Sequence, residues 1–336
     1  MNTTAAGISA IIVNSNGVRF LPECLGALYA QRVPPLEILI IDNASTDDSL
    51  DVIEAFQAQQ TVKSREQSPT SPEIRLIRNH ENIGFGCANN QGIRVASGEF
   101  ILLLNADVVL DAEFLAHLLA VMQAKDSVGL AVGKLLNYED RRRIDSTGLV
   151  IRKNRRAFDR GQGQFDTGDY EREEEVFGAS GAACLCRRAM LEDIRYADEY
   201  FDELFFAYKG DVDLSWRARL FGWGCVYAPQ SLGWHHRKWG GGKRRNIPRW
   251  IRRHSLKNRY VMLLKNEHWP TLLPGVPHLL GFEALSLAYI VFKEPHLLLA
   301  FGDVVRAFPE ILKKRRHIQN IAAKRQQLER MRTWFV

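Results

Sequence analysis

The chain has 336 residues, 46% of them hydrophobic and 25% charged, with no internal repeats or low-complexity tracts. This soluble-globular composition excludes a repeat architecture and supplies apolar material for one large domain with an appendage, or for two domains. Five cysteines, an odd number, and the Cys184-Leu-Cys186 spacing fit neither a zinc site nor a CxxC redox pair, and point to a reducing, cytoplasmic setting.

The net charge of +6 conceals an asymmetry. Leu214 to Asn266 holds 13 Lys/Arg and no acidic residue, Glu267 to Val336 holds 10 basic and 6 acidic residues, and the first 213 residues therefore carry a net −11. Acidic side chains can hold a divalent cation, and basic ones can meet phosphates or an anionic membrane.

Taken in chain order, Ile8–Asn14, Leu36–Asp42, Ile74–Arg78, Phe100–Asn105 and Val128–Val132 read as buried strands. The run from Ile8 to Val13 has no basic n-region before it and no cleavage site, so no signal peptide is expected. Helical patterns fall between the strands, at Leu21–Ala30, Asp47–Gln59, Gly86–Ala96 and Ala112–Met122. Such alternation predicts a mostly parallel sheet covered on both faces. Thr61–Glu73, polar with two prolines, reads as a surface loop. Arg152–Glu175 reads as an irregular excursion or an antiparallel hairpin. A strand at Gly181–Cys186, a helix at Asp211–Phe221 and a strand at Cys225–Ala228 follow. Arg237–Asn266 is basic with interspersed Trp, Tyr and Leu. Trp269–Phe308 is strongly apolar but interrupted by Pro270, Pro274, Pro277, His278, Glu283 and Lys293-Glu294-Pro295. A spanning helix needs about 20 apolar residues. Leu279–Phe292 is shorter and carries Glu283, so no span is predicted. Lys313–Arg332 reads as a basic helical tail.

Polar residues cluster where the predicted strands end: Asn14, Asp42-Asn43, Asn79 and Asn105-Ala106-Asp107. Parallel sheets bind ligands beyond the carboxyl ends of their strands, so this coincidence marks a site. No Gly-x-Ser-x-Gly elbow, Walker loop or Gly-x-Gly-x-x-Gly fingerprint is present. The candidate groups are carboxylates, Asp42, Asp107, Asp211 and Asp213, hard ligands suited to Mg²⁺ or Mn²⁺. Plainer roles compete with each. Asp107 also reads as a polar cap after a strand, and Asp211 and Asp213 as helix-capping acids. Gly84 and Gly86 fit a tight turn into a helix.

Ile11-Ile12-Val13-Asn14, Ile41-Asp42-Asn43-Ala44-Ser45-Thr46-Asp47, Asn79-His80-Glu81-Asn82-Ile83-Gly84-Phe85-Gly86, Leu103-Leu104-Asn105-Ala106-Asp107 and Gly210-Asp211-Val212-Asp213-Leu214-Ser215-Trp216-Arg217 occur in that order. Together they resemble glycosyltransferase family 2, in particular its rhamnosyltransferase-like branch, over roughly residues 7–265. The resemblance implies a GT-A nucleotide-diphospho-sugar transferase fold: an α/β, mostly parallel mixed sheet flanked by helices. The catalytic domain would be 1–240, with a donor-binding half at about 1–110 and an acceptor half at about 111–240. A basic, apolar helical extension, 241–336, would follow. By the same resemblance Asp42 contacts the nucleoside base, Asn14 and Asn43 lie in the nucleoside region, and Asn82, Gly84 and Asn89 border the donor pocket. Asn105-Ala106-Asp107 takes the place of the Asp-x-Asp motif, with Asn as its first member. Asp107 is then the metal carboxylate, binding Mg²⁺ or Mn²⁺ beside the donor diphosphate. His235, six residues after Pro229, is the second metal ligand by family spacing, with His236 adjacent as the alternative.

Asp211 matches the family's catalytic base, which the helix N-terminus and a nearby metal would keep ionised. Gly210 stands where the family often has Glu. Asp213 is expected to orient the acceptor or Arg217, and Gly181, in Phe177-Gly178-Ala179-Ser180-Gly181-Ala182, to floor the acceptor region. Asp145-Ser146-Thr147-Gly148 also recurs in the family, though Asp145 equally suits a turn. Asn246-Ile247-Pro248-Arg249-Trp250 distantly resembles the Gln-x-x-Arg-Trp signature of processive polysaccharide synthases. Without their multiple spans, the chain reads as non-processive, with Arg249 or its neighbours near a diphosphate or simply solvated.

The resemblance implies an inverting hexosyltransferase acting in cell-surface polysaccharide biosynthesis. Its donor would be a dTDP- or UDP-linked sugar, with dTDP-rhamnose suggested by the branch. Its acceptor would be a glycan or a polyprenyl-diphosphate-linked glycan. The basic, aromatic back half carries no nucleic-acid-binding motif and suits an anionic membrane surface, placing the enzyme peripherally on the cytoplasmic face of the inner membrane. The competing readings are an inactive sugar-nucleotide-binding or scaffold protein and a sugar nucleotidyltransferase. The latter needs a Gly-rich, Arg/Lys-bearing loop that Asn14-Ser15-Asn16-Gly17 does not supply.

Overall fold

The computed structural model describes residues 7–67, 72–237 and 247–336. The chain begins with β1 (Ile8–Asn14), crosses through α1 (Leu21–Tyr29) to β2 (Glu37–Asn43), and through α2 (Ser49–Gln67) to β3 (Glu73–Asn79). α3 (Phe85–Val95) carries it back to the other side of β1, where β4 (Phe100–Asn105) lies. These four strands form a parallel unit in the order β3-β2-β1-β4. β5 (Val108–Leu110) and α4 (Phe114–Ala124) lead into β6 (Val128–Asn137). β7 (Ile144–Ser146) pairs with β6, while β8 (Leu149–Ile151) and β9 (Ala157–Asp159) make an antiparallel hairpin. After β10 (Glu174–Glu175), β11 (Ala183–Arg187) runs antiparallel between β4 and β6. α5 (Arg188–Ile194) and α6 (Gly210–Leu220) precede β12 (Gly224–His235), which runs parallel to β6. The mixed sheet thus reads β10-β12-β6-β11-β4-β1-β2-β3.

The central strands are continuous apolar runs because both faces of the sheet are buried. On one face Ile11, Leu39, Leu103 and Cys184 meet α3, α5 and α6. On the other, Ile12, Ile40, Leu102 and Leu185 meet α1 and α4. The parallel register sets Asn14 beside Asp42, and Val13 beside Asn105, at the carboxyl ends. The direction change at β11 leaves that end of β4 as the crevice where such folds bind ligands.

Five further helices follow: α7 (Arg249–Asn266), α8 (Trp269–Leu272), α9 (Val276–Lys293), α10 (Leu299–Arg325) and α11 (Leu328–Arg332). They do not form a core of their own. Val261, Met262, Ile311 and Ile318 join the same buried cluster as Leu103 and Trp216. A buried ion network closes this junction. Lys265 pairs with Asp202 and, at 2.9 Å, with Asp213, and Lys314 pairs with Asp202 at 2.7 Å. Of the three long helices α7, α9 and α10, α9 is the exception: only Ile290 of its 18 residues is buried.

Two local readings change. α2 continues helically through Gln67, inside the segment expected to be a loop. The stretch Trp269–Lys293 is, by length and composition, able to cross a membrane, contrary to the expectation that its prolines and Glu283 preclude this. Pro270, Pro274 and Pro277 each occupy the first turn of a helical segment, where a missing N–H and a fixed φ cost nothing.

Candidate functional site

An open cleft of about 240 Å³ lies beyond the ends of β1, β2 and β4. Its polar side is formed by Asn14, Asn43, Asn82, Asn105 and Asp107, and its apolar side includes Phe20, Phe85, Phe206 and Trp250. Asn14, the last residue of β1, donates through Nδ2 to Asp42 Oδ1 at 2.9 Å and to Ser45 at 3.0 Å, while its own Oδ1 is buried without a hydrogen-bond partner. An unmatched buried acceptor on a cleft wall is available to a ligand donor. Asp42 is 2% exposed and also accepts from the Ser45 backbone and hydroxyl. Its carboxylate thus ties the end of β1 to the turn after β2 beside the cleft.

Asn43 fixes the loop opposite. Its Oδ1 accepts from Ile83 N–H at 3.1 Å, and its Nδ2 donates to Asn82 Oδ1 at 2.8 Å. Gly84 follows with φ +87°, where a Cβ would stand 2.5 Å from the carbonyl oxygen of Phe206. Only glycine takes that backbone conformation against that neighbour without strain. Phe85 N–H donates to the same oxygen at 2.8 Å and so joins the loop to the segment leading into α6. Asn89, expected at the pocket border, is instead buried in α3 and bonds the carbonyl of Phe85.

Asp107 lies in the turn between β4 and β5, and His235 ends β12. Asp107 Oδ1 and His235 Nε2 stand 3.3 Å apart, and His235 Nδ1 is 2.7 Å from Asp145 Oδ2. Arg237 holds Asp145 at 2.7 Å and Asp159 at 2.8 Å. Burial disfavours the charged imidazole. Hydrogen bonds to Asp107 and Asp145, with their negative charges, outweigh burial and push its pKa up to about 9. For Asp145 too burial is opposed, here by His235 and Arg237, and its pKa is lowered. His236 is placed elsewhere, stacked on Tyr138 at 3.4 Å and 3.2 Å from Glu139. Of the two neighbours, His235 is the one that faces Asp107.

Asp107 and His235 suit a divalent ion as a partial set. A carboxylate oxygen and an imidazole nitrogen converge, and the far ring nitrogen is held by a carboxylate, the usual support of a ligating histidine. Among the described residues no group of three or more His, Cys, Asp or Glu forms a complete metal cage. Remaining ligands would have to come from a bound diphosphate and water.

Asp211 occupies the first turn of α6. Its Oδ2 accepts from Gly181 N–H at 3.1 Å and its Oδ1 from Val212 N–H at 2.8 Å. Ala182, the next residue, accepts from Asn105 N–H at 2.8 Å, which ties Asp211 to the end of β4. Burial raises its pKa, with Asp159 adding to the rise against the Gly181 hydrogen bond. Gly210 leaves no side chain beside it, and a Cβ there would lie 3.3 Å from the Phe201 ring. Lys209, two residues before Asp211, has a left-handed backbone (φ 64°) and a pKa lowered to about 8, chiefly by burial.

Asp213 and Arg217 do not reach the cleft. Asp213 is 0% exposed and bonds Arg217 at 2.9 Å, together with Lys265 and Asn266. Arg217 spends its remaining donors on the carbonyls of Ile194 and Tyr200. The expected orientation of Arg217 by Asp213 is present, but in the core rather than at an acceptor. Trp250 lines the cleft and Arg249 is exposed, while Asn246 lies outside the described residues. Asp145 gained no firm role from sequence. Its part appears only because the β6–β7 pairing brings it beneath β12.

The model for "Glycosyl transferase family 2" matches residues 9–195. The chain is 23% identical over 301 residues to the poly-beta-1,6-N-acetyl-D-glucosamine synthase of Staphylococcus epidermidis, covering 86% of this chain and 61% of that protein. It spans less than two thirds of the length of the curated relatives it matches. The structure of TarS 1-349 from S. aureus in complex with UDP-GlcNAc superposes with a TM-score of 0.56 at 18% identity, covering 97% of this chain and 90% of that one. The mannosyltransferase PcManGT from Pyrobaculum calidifontis, in complex with GDP-Man and Mn²⁺, superposes with a TM-score of 0.52 at 17% identity, covering 97% and 87%. At such identities these likenesses show a shared GT-A fold.

Proposed function

Because the chain belongs to glycosyl transferase family 2, we propose that it moves a sugar with inversion from a nucleotide diphosphate donor to an acceptor hydroxyl in cell-surface polysaccharide biosynthesis. The observation that carries this reading is the convergence at the β4 carboxyl end of the Asp107–His235 pair and, through Gly181 and Ala182, of Asp211. The nucleoside lies along Asn14, Asn43 and the Asn82–Gly84 loop. Asp107 and His235 would hold Mg²⁺ or Mn²⁺, which would supply neutralisation of charge on the departing diphosphate.

Asp211 takes the proton of the acceptor hydroxyl. The acceptor oxygen forms its bond to the anomeric carbon as the bond to the diphosphate oxygen breaks on the opposite face, and the diphosphate leaves with the electron pair. A single base on one side of the anomeric carbon gives inversion. The raised pKa of Asp211 strengthens it as a base once ionised. Gly181 N–H and Val212 N–H fix its orientation, so positioning supplies much of the rate.

The relative's name, a polysaccharide synthase, and the UDP-GlcNAc and GDP-Man of the structural neighbours support a nucleotide-sugar donor. The dTDP-rhamnose expectation remains one arm of the donor test. A lipid-linked glycan at an anionic membrane surface is the acceptor that suits the basic, apolar helices. The test is a panel of UDP-, dTDP- and GDP-sugars with Mg²⁺ or Mn²⁺, scored for binding and slow donor hydrolysis. Metal-dependent hydrolysis of at least one donor is expected. Binding of none, by folded protein, overturns the reading and returns the scaffold alternative.

A further inference from the structure

α9 is anchored along one face only. Phe282 lies 4.9 Å beneath the guanidinium of Arg259 and 5.3 Å beneath that of Arg156. Glu283 pairs with Arg259 and accepts from the Tyr260 hydroxyl. Ile290 is buried, and Glu294, just past the helix, pairs with Arg252. Before the helix, Gly275 sits so close to Arg155 that a Cβ would lie 2.7 Å from its Nη1. The opposite face bears Pro277, Leu280, Gly281, Ala284, Leu285, Leu287, Ala288, Val291 and Phe292, all exposed and none polar. Leu285 is 75% and Phe292 81% exposed. An apolar strip of this length on a soluble surface marks an interaction site.

We propose that α9 lies in the plane of an anionic bilayer, its apolar face among the acyl chains and its other face clamped to the catalytic body. This rests on the reading of the chain as a membrane-associated transferase and adds how it sits there. By length the helix reaches about 27 Å, close to a hydrocarbon core. A crossing would bury the mid-helix Glu283–Arg259 pair in hydrocarbon or break it, and both are unfavourable. An in-plane helix keeps every anchor, the arrangement of a helix with one charged and one apolar face.

Charge selects the occupant. From Trp269 to Pro309 the acids are Glu283, Glu294 and Asp303, and each is paired with an α7 arginine: Arg259, Arg252 or Arg253. The cations at the rim, Lys293 after Phe292 and Arg306 beside the exposed Val305, face outward, Arg306 while also bonding Asp303 at 3.2 Å. Two copies joined through this face would set like charges together, whereas anionic headgroups complement them. The same contacts fix the site against the lipid. Arg252 and Arg253, which bind the end of α9 and the start of α10, lie one turn from Trp250 on the cleft wall. The cleft mouth therefore borders the bilayer, within reach of a lipid-linked acceptor.

Flotation of the full chain with vesicles of phosphatidylethanolamine and phosphatidylglycerol, against phosphatidylcholine alone, tests this. Recovery is expected to be about tenfold higher on the anionic vesicles. L285E/F292E is expected to lose flotation while keeping its melting temperature and nucleotide affinity. H278C and K293C, each in a C87S background, distinguish the geometries. Both sites should react with a membrane-impermeant maleimide on bound vesicles. Protection of one site means a spanning helix and overturns the proposal. So does unchanged flotation of L285E/F292E, or a dimer that this variant dissolves without any vesicle binding. If the wild-type chain floats but binds no nucleotide sugar, the transferase reading fails and the membrane geometry stands.

Discussion

Replacing Asp145 by Asn should loosen the metal site without touching the substrate. Asp145 is 3% exposed, and its Oδ2 accepts from His235 Nδ1 at 2.7 Å and from Arg237 Nη2 at 3.1 Å. Asn keeps the shape and one acceptor oxygen, but removes the charge that the two donors share at Oδ2. His235 then loses a charge-assisted hydrogen bond worth roughly 1.5–3 kcal/mol. Loss of such a supporting partner weakens metal binding roughly 10–100-fold, which is about 1.4–2.7 kcal/mol, so the two estimates agree. The assay is a Mn²⁺ titration read by EPR with saturating nucleoside diphosphate, alongside a thermal melt. A D145N protein that melts lower but binds Mn²⁺ as tightly as wild type would refute the reasoning, because Asp145 would then support the fold alone.

D211N should abolish transfer while changing nucleotide affinity by no more than about twofold, since the side chain acts on the acceptor proton. In the wild type the raised pKa of Asp211 means that activity falls, as pH drops, at a higher pH than an ordinary carboxylate would give, and kcat/KM against pH measures this. G84A should cost roughly 1–3 kcal/mol from its positive φ, and its Cβ would strike Phe206. Isothermal titration should show weakened nucleotide binding. K265M strands part of the charge of Asp202 and Asp213; with Lys314 and Arg217 still present, the loss is about 3 kcal/mol, at the low end for a broken buried pair. Burial would raise the Asp202 pKa, but Lys265 and Lys314 hold it well below the ordinary value. Its contribution is therefore present above the unfolded carboxylate pKa and lost as pH falls through the folded one. Denaturant melts of K265M should accordingly show a smaller loss of stability on acidification than those of wild type.

The strands around the cleft were legible because a sheet buried on both faces writes unbroken apolar runs, ending in Asn14, Asn43 and Asn105 where the ligand side begins. Position along a motif did not reveal depth. Asp213 looks like a site carboxylate in sequence, yet the α7 contacts hold it in the core. The choice between His235 and His236 was unreadable because the β12–β6 register shifts between Ala228 and Leu232, and a bulge resets the alternation that would say which side chain faces Asp107. Asp145 depends on a pairing between distant strands. Along Trp269–Lys293 the prolines read as interruptions, but their positions in first turns let the apolar stretch continue.

The anomeric configuration of the transferred sugar tests inverting transfer by Asp211 most directly. With the best donor from the panel, a divalent ion and a lipid-linked acceptor, NMR of the product should show the configuration opposite to that of the donor, and D211N should yield no product. Retained configuration, or near-normal product from D211N, would contradict a mechanism in which Asp211 is the sole base.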